Sequence, residues 1–276
     1  MTLAANPTLL WFVVGYGVLM VLLGIWFSRR IKNSDDFILA GRSLGPIVLA
    51  GTMLATFTGS GTITGGSNSI GYSYGFWPAV LIAPGLIIAF TLLYLIAPKI
   101  RAFGKYTISQ ILEEQYGQGA KVLSAIIIIL AYTGIVSYQF KGLAFVLNVT
   151  TGIPVATGVI ISAVLIIFLA VIGGLMAIAP TDALSAFLMV VGLIVAIPSV
   201  LVAGGGWGQI VSKLPPENLS MTGSLSGMEM VAFLVPILFL MLGDQNVYQR
   251  LASSENKKSA RSGLIIWGLG LILVIP

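Results

Sequence analysis

Apolar residues run along this chain in blocks of about twenty, the length that crosses a bilayer as a helix, each closed by a short polar stretch. The blocks lack the dyad alternation of barrel strands, so they predict α-helices. The first, Leu9–Phe27, stops at Ser28-Arg29-Arg30. It is long for a signal-peptide core and has no basic region before it, so it reads as a retained helix. A second block runs from Leu44 to Ile70 and a third from Phe76 to Ala97, stopped by Pro98-Lys99. The amphipathic connector KIRAFGKYTISQILEEQYGQGAK predicts a short interfacial helix. A fourth helix is predicted over Val122–Leu147, a tight turn over Asn148–Pro154, and a fifth helix to Ile172. Gly173-Gly174-Leu175 opens a link, MAIAPTD, into a sixth helix over Ala183–Val202; the seventh runs from Met228 to Tyr248. The last apolar run, Ser262 to Pro276, is short for a span, and the sequence stops inside it as a fragment would.

The second block is the unusual one. IVLAGTMLA begins as a spanning helix, and then TFTGSGTITGGSNS packs Gly, Ser and Thr together near mid-bilayer depth. Each interior glycine weakens a helix by about 1 kcal/mol relative to alanine, so the stretch predicts a break. Backbone groups freed there cannot face lipid. They are tolerated where they line a cavity, which is how transporters build ion and substrate sites. Close packing through small residues is the other reading. The working segment is expected at Ala55 to Thr62, with Gly65 to Gly71 serving close packing.

Composition agrees with the pattern. The 276 residues are 57% hydrophobic and 8% charged, with mean hydropathy +1.03, against about a quarter charged in soluble domains. The fold class is an all-α integral membrane protein, a single transmembrane domain over 1–276. There is no Cys and no His, which removes thiol nucleophiles, disulfides, haem ligation and ordinary zinc sites. No nucleophile–base constellation is visible, so an enzyme is not expected, nor any organic cofactor. The net charge of +5 lies in loops and implies no nucleic-acid partner. With the N-terminus outside, three cytoplasmic segments hold twelve of the fourteen Lys and Arg residues, leaving only Lys141 and Lys213 opposite. The positive-inside rule therefore predicts an outside N-terminus in a multi-pass plasma-membrane protein.

Lys141, Asp182 and Asp244 lie within or beside apolar spans, where a central charge costs at least about 2.5 kcal/mol. Lys141 is close enough to the outer end of its helix to snorkel. Asp182 reads either as an N-cap after Pro180-Thr181 or as a functional carboxylate. Asp244 reads either as a salt-bridge partner of Arg250 or a neighbour, or as a functional group. A broken helix offers carbonyl oxygens that suit Na⁺, and a nearby carboxylate adds charge to hold it. At 100 mV a single inward Na⁺ supplies about 2.3 kcal/mol, enough for roughly fifty-fold accumulation of a neutral solute.

Three ordered segments resemble the sodium:solute symporter family. Asp36–Gly45, DFILAGRSLG, is similar to that family's D-[YF]-[FI]-L-A-G-R-S-L-[GP] motif. Gly173–Phe187, GGLMAIAPTDALSAF, resembles its GGL-x-A-V-x-W-T-D-x-x-Q segment, and DQNVYQRLASSENKKSAR resembles its N-Q-x-x-x-Q-R-x-x-[AS] segment. The resemblance implies a leucine-transporter-type inverted-repeat helical bundle, incomplete here, with about seven full transmembrane helices and part of an eighth. It implies an extra helix over 1–30, a first five-helix repeat over 44–203 and the start of a second over 228–276. It implies sodium ligation by the carbonyls of Ala55 and Thr58, a sodium position or exit path near Asp182, and a substrate-facing role for Thr62 and Asp244. Pro180 stands where the family usually has Trp, and Asp244 where it has Asn. The family's eighth core helix, with its sodium hydroxyls, is absent from the sequence, so the chain as given is not expected to transport.

The function the resemblance implies is sodium-coupled symport of a small organic solute by alternating access, with Na⁺ as coupling ion and the lipid bilayer as setting. A transport-inactive sensory or structural module of the same fold is the alternative. Neither the solute nor the oligomeric state is specified by the sequence.

Overall fold

The computed structural model describes residues 7–59, 67–80 and 83–274. Helix α1 (Pro7–Ser28) matches the first block. A short helix α2 (Ser34–Leu39), capped by the Asn33 side chain, leads into a 3-10 turn at Ala40–Arg42. Ala40, Gly41 and Arg42 all have φ between 50 and 59°. This left-handed run, costly for Ala and Arg, turns the Arg42 guanidinium back onto Asp35 (3.2 Å) and onto the carbonyl of Gly104 (3.0 Å). The motif thereby ties the foot of the next helix to the end of a distant one.

Helix α3 (Pro46–Phe57) carries Pro in its first turn, where the missing N–H is harmless, and it ends at Phe57. The chain is helical again in α4 (Ser67–Tyr74) and α5 (Phe76–Val80). The second block is therefore two helices, and the first stops where the Gly/Ser/Thr run begins. Helix α6 (Ala83–Phe103) corrects the expected stop at Pro98: the helix passes through Pro98 and adds more than a turn. Burial of Ala97 and Ile100 holds that extra turn. So does Arg101, whose guanidinium donates to the carbonyls of Ser254 and Glu255. Interfacial helix α7 (Ile108–Tyr116) is present, opened by a Thr107/Gln110 capping box.

Helix α8 (Gln118–Thr151) is followed by α9 (Val155–Ala203), which is 49 residues long. A straight helix of that length would measure about 74 Å, more than twice the hydrocarbon thickness. It is two spans joined at one non-helical residue, Gly174 (φ 46°, ψ −156°). The MAIAPTD link expected between the fifth and sixth helices is itself helical, which moves Asp182 from a helix start to two turns inside. Helix α1 touches both halves: Gly24 lies against Leu169, and Tyr16 Oη is 2.6 Å from Ser185 Oγ. After α10 (Trp207–Lys213) the chain enters α11 (Gly227–Gly243), breaks at Asp244, and resumes as α12 (Gln245–Ser253) and α13 (Lys257–Val274). Five of the described helical stretches are long and apolar enough to cross a membrane.

The core is one cluster drawn from α3, α6, the second half of α9, α12 and α13, with Leu49, Met53, Leu93, Leu251 and Trp267 fully buried. Trp267 packs its ring on Phe90 (4.6 Å between centroids) and on Phe57 (5.0 Å), the last residue of α3 before the break.

Candidate functional site

The three motif segments converge on the foot of α3. Leu44 donates its N–H to the Ser253 carbonyl and accepts from the Glu255 N–H, both at 3.0 Å. Gln249 Nε2 donates to the Ile38 carbonyl at 2.7 Å, and the Phe37 carbonyl lies against Gly174. Segments far apart in sequence thus form one patch, from which three side chains point inward.

Those side chains are Thr52, Asp182 and Arg250. Thr52 is fully buried on α3, and its hydroxyl donates to Asp182 Oδ2 at 2.8 Å. Arg250, 5% exposed on α12, donates from Nε to the same Thr52 hydroxyl at 2.9 Å and from Nη2 to Asp182 Oδ2 at 3.4 Å. Thr52 therefore relays between a carboxylate and a guanidinium, and each charge is compensated inside the bundle, as burial requires. The geometry depends on close contact of α3 with α9. A Cβ built on Gly51 would lie 2.7 Å from the Ala183 backbone. Gly51→Ala is expected to cost about 2 kcal/mol through overpacking, read as a lower thermal midpoint in detergent. Gly192→Ala, on the open face of α9, should leave the midpoint unchanged or raise it; equal effects at both glycines would remove this account of the α3–α9 contact.

Ala55 lies one turn above Thr52 on the same helix, half-buried. Thr58 is the C-cap, buried, with its N–H and hydroxyl both donating to the Leu54 carbonyl (2.9 and 2.5 Å). With α3 ended at Phe57, the Ala55 carbonyl has no helical N–H to accept from four residues on, as at any helix C-terminus. Gly59 sits against Gln139 of α8, where an added Cβ would meet the Gln139 amide at 2.6 Å. Thr62 lies outside the described residues.

Two expectations are corrected. Asp182 is not an N-cap, because the helix already runs through Pro180 and Thr181. Asp244 does not pair with Arg250, whose guanidinium is taken by Asp182 and Thr52. Asp244 instead caps α12, its Oδ1 accepting from the Asn246 N–H (2.6 Å), the Val247 N–H (3.4 Å) and the Tyr132 hydroxyl (2.6 Å). It is buried, and among the described residues nothing donates to its Oδ2. Lys141 is exposed on α8. The sequence reading missed Thr52, inconspicuous in an apolar helix, and Arg250, counted as a loop cation. A usable signal for Arg250 was its place on the stripe shared by Val247 and Leu251, both buried.

The family model described as sodium:solute symporter family matches residues 37–276. The chain is 27% identical over 268 residues to the sodium/pantothenate symporter of Escherichia coli, covering 92% of this chain and 55% of that protein. It is 28% identical over 285 residues to the human high affinity choline transporter 1, covering 96% of this chain and 48% of that protein. Among solved structures, a substrate-bound, outward-open Na⁺-coupled sialic acid symporter superposes with a TM-score of 0.80 at 21% identity, over 95% of this chain and 56% of that one. The likeness extends to fold, so the membrane-helical bundle expected from the sequence is the one found. The chain spans about half the length of the curated relatives it matches.

Proposed function

The chain belongs to the sodium:solute symporter family, and from that premise we propose that it serves sodium-coupled uptake of a small organic solute by alternating access. The observation that carries this reading is the joining of Asp182 through Thr52 to the helix that ends at Phe57, one turn below the Ala55 carbonyl. The carboxylate lies one helical turn below a helix end whose Ala55 carbonyl has no helical partner. Together they suit a monovalent cation.

In this reading Na⁺ is held by the carbonyls of Ala55 and Thr58, and Asp182 supplies long-range attraction along its path. Arg250 compensates Asp182 when no ion is near, so the partly buried carboxylate is never left alone. The ion then competes with a guanidinium already in place, which keeps its binding weak enough to be released. Thr62 and the open Oδ2 of Asp244 are the proposed solute contacts. The relatives named above are transporters of chemically different solutes, which favours transport over a silent structural module and leaves the solute open. The first repeat is assigned to 44–203, with the N-terminal helix outside it and the second repeat opening at 228. The positive-inside count supports an outside N-terminus in the plasma membrane.

The test is uptake into proteoliposomes by a protein containing this chain. Asp182→Asn is expected to raise the Na⁺ concentration for half-maximal uptake at least tenfold while the melting profile still shows a folded protein. Uptake that proceeds unchanged without Na⁺, driven by an imposed proton gradient, would overturn the sodium assignment.

A further inference from the structure

Between α6 and α13 lies a cavity of about 530 Å³ on the outer face of the bundle, walled by Leu86, Phe90 and Tyr94 on one side and Leu264, Gly268 and Ile272 on the other. Its one threonine, Thr91, spends its hydroxyl proton on the Ile87 carbonyl (2.8 Å), and apart from that hydroxyl and the Tyr94 phenol the lining side chains are hydrocarbon. The occupant of such walls is hydrocarbon. The cavity falls in the size range of small-ligand sites, about 300–1,000 Å³, and its open outer side admits a fatty-acyl tail from the lipid.

One end of the groove is strongly basic. On α13 the lining residues Ile272, Gly268 and Ile265 continue at three- and four-residue spacing to Arg261 and Lys258, with Lys257 beside them. This stripe is one face of one helix. Arg261 stacks its guanidinium on the Tyr94 ring, 5.1 Å from the centroid, and so spans the groove's mouth from α13 to α6. All three cations are exposed. Among the described residues the ion pairs are Arg42–Asp35, Lys105–Glu114, Lys121–Glu113 and Arg250–Asp182, so no carboxylate neutralises them. The adjacent Glu255 has its Oε1 accepting from the Ser259 hydroxyl (2.8 Å) and the Asn256 amide (3.3 Å). The positive end of the α13 dipole adds to the same charge.

We propose that the α6–α13 groove is a binding site for an anionic phospholipid, its acyl tail along Phe90 and Gly268 and its phosphate held by Lys257, Lys258 and Arg261. A packed helix or a second copy of the chain would cover the apolar walls but leave three cations at the mouth unanswered; a lipid phosphate answers both. Basic clusters beside apolar helix faces attract anionic headgroups by about fivefold per residue. The site does not depend on sodium coupling, since it lies on the outside of α6 and α13.

The experiment is native mass spectrometry of the whole chain in detergent with added phosphatidylglycerol or phosphatidylcholine of identical tails. Phosphatidylglycerol is expected to be retained at least tenfold more tightly. The combined Lys257→Gln, Lys258→Gln and Arg261→Gln variant should bring the two lipids within twofold, and the charge-conserving Lys257→Arg, Lys258→Arg, Arg261→Lys variant should restore the preference. Gly268→Leu, which fills the groove and leaves the cations, should weaken phosphatidylglycerol tenfold. Arg29→Gln with Arg30→Gln, a basic pair elsewhere, should change nothing. Equal retention of the two lipids, a preference that survives the triple Gln variant, an equal loss in the Arg29/Arg30 variant, or a lipid-free dimer that the Gly268→Leu change breaks would each overturn the proposal.

Discussion

Arg250→Met is expected to destabilise the chain by about 3–5 kcal/mol, the usual cost of removing one partner from a buried ion pair. Loss of the guanidinium leaves Asp182 charged in the bundle with only the Thr52 hydroxyl to meet it. Asp182→Leu leaves Arg250, 5% exposed, with an equally uncompensated charge and a similar cost. The double variant removes both charges, and packed hydrocarbon in their place is often neutral. It should therefore regain more than half of the summed losses. Because Arg250 is buried and the Asp182 side chain is only 27% exposed, raising the salt concentration should narrow the difference less than it would for a surface pair. Unfolding of the detergent-solubilised chain, followed for the four proteins of this cycle, gives the coupling directly. Losses that simply add would mean that Arg250 and Asp182 do not hold one another in solution.

The same pair shows why the site was only half legible in the sequence. The elements were readable because bilayer-length apolar runs and loop charge are properties of single segments. The break after Phe57 was readable for the same reason, since local propensity fails there regardless of what packs around it. The role of Asp182 was not readable. Its meaning depends on a guanidinium 68 residues later and a hydroxyl 130 residues earlier, and a side chain's partner is a tertiary fact. Asp244 shows the converse error. Proximity in sequence suggested Arg250, but a one-turn helix start offered two backbone N–H groups closer still, and capping won. The helix ends that were misplaced, at Pro98 and across MAIAPTD, are places where packing against α12 and α3 overrides a residue with poor helix propensity. Proline inside membrane helices is tolerated on such terms.

The second large effect is expected at Gly174. Its φ of 46° with ψ of −156° is a backbone conformation almost closed to residues with a Cβ, costing about 1–3 kcal/mol on its own. A Cβ there would also run into the carbonyl and ring of Phe37, coming within 2.7 Å of Cδ2. Two strains that cannot be relieved by one movement make Gly174→Ala worse than Gly51→Ala, at about 3 kcal/mol or more. Relief comes either by withdrawing α2, which pulls on the Leu44–Ser253 backbone pairing, or by straightening α9, which carries Asp182 away from Thr52. The two are separable because the chain has no cysteine, so spin labels can be placed at will. Labels at the exposed positions Ile47 on α3 and Phe187 on α9 should give a longer, broader distance distribution in Gly174→Ala if α9 straightens, and an unchanged one if α2 withdraws. Both outcomes require a lower thermal midpoint. A variant with the parent's midpoint and the parent's distance would show that Gly174 is not the joint on which the position of Asp182 depends.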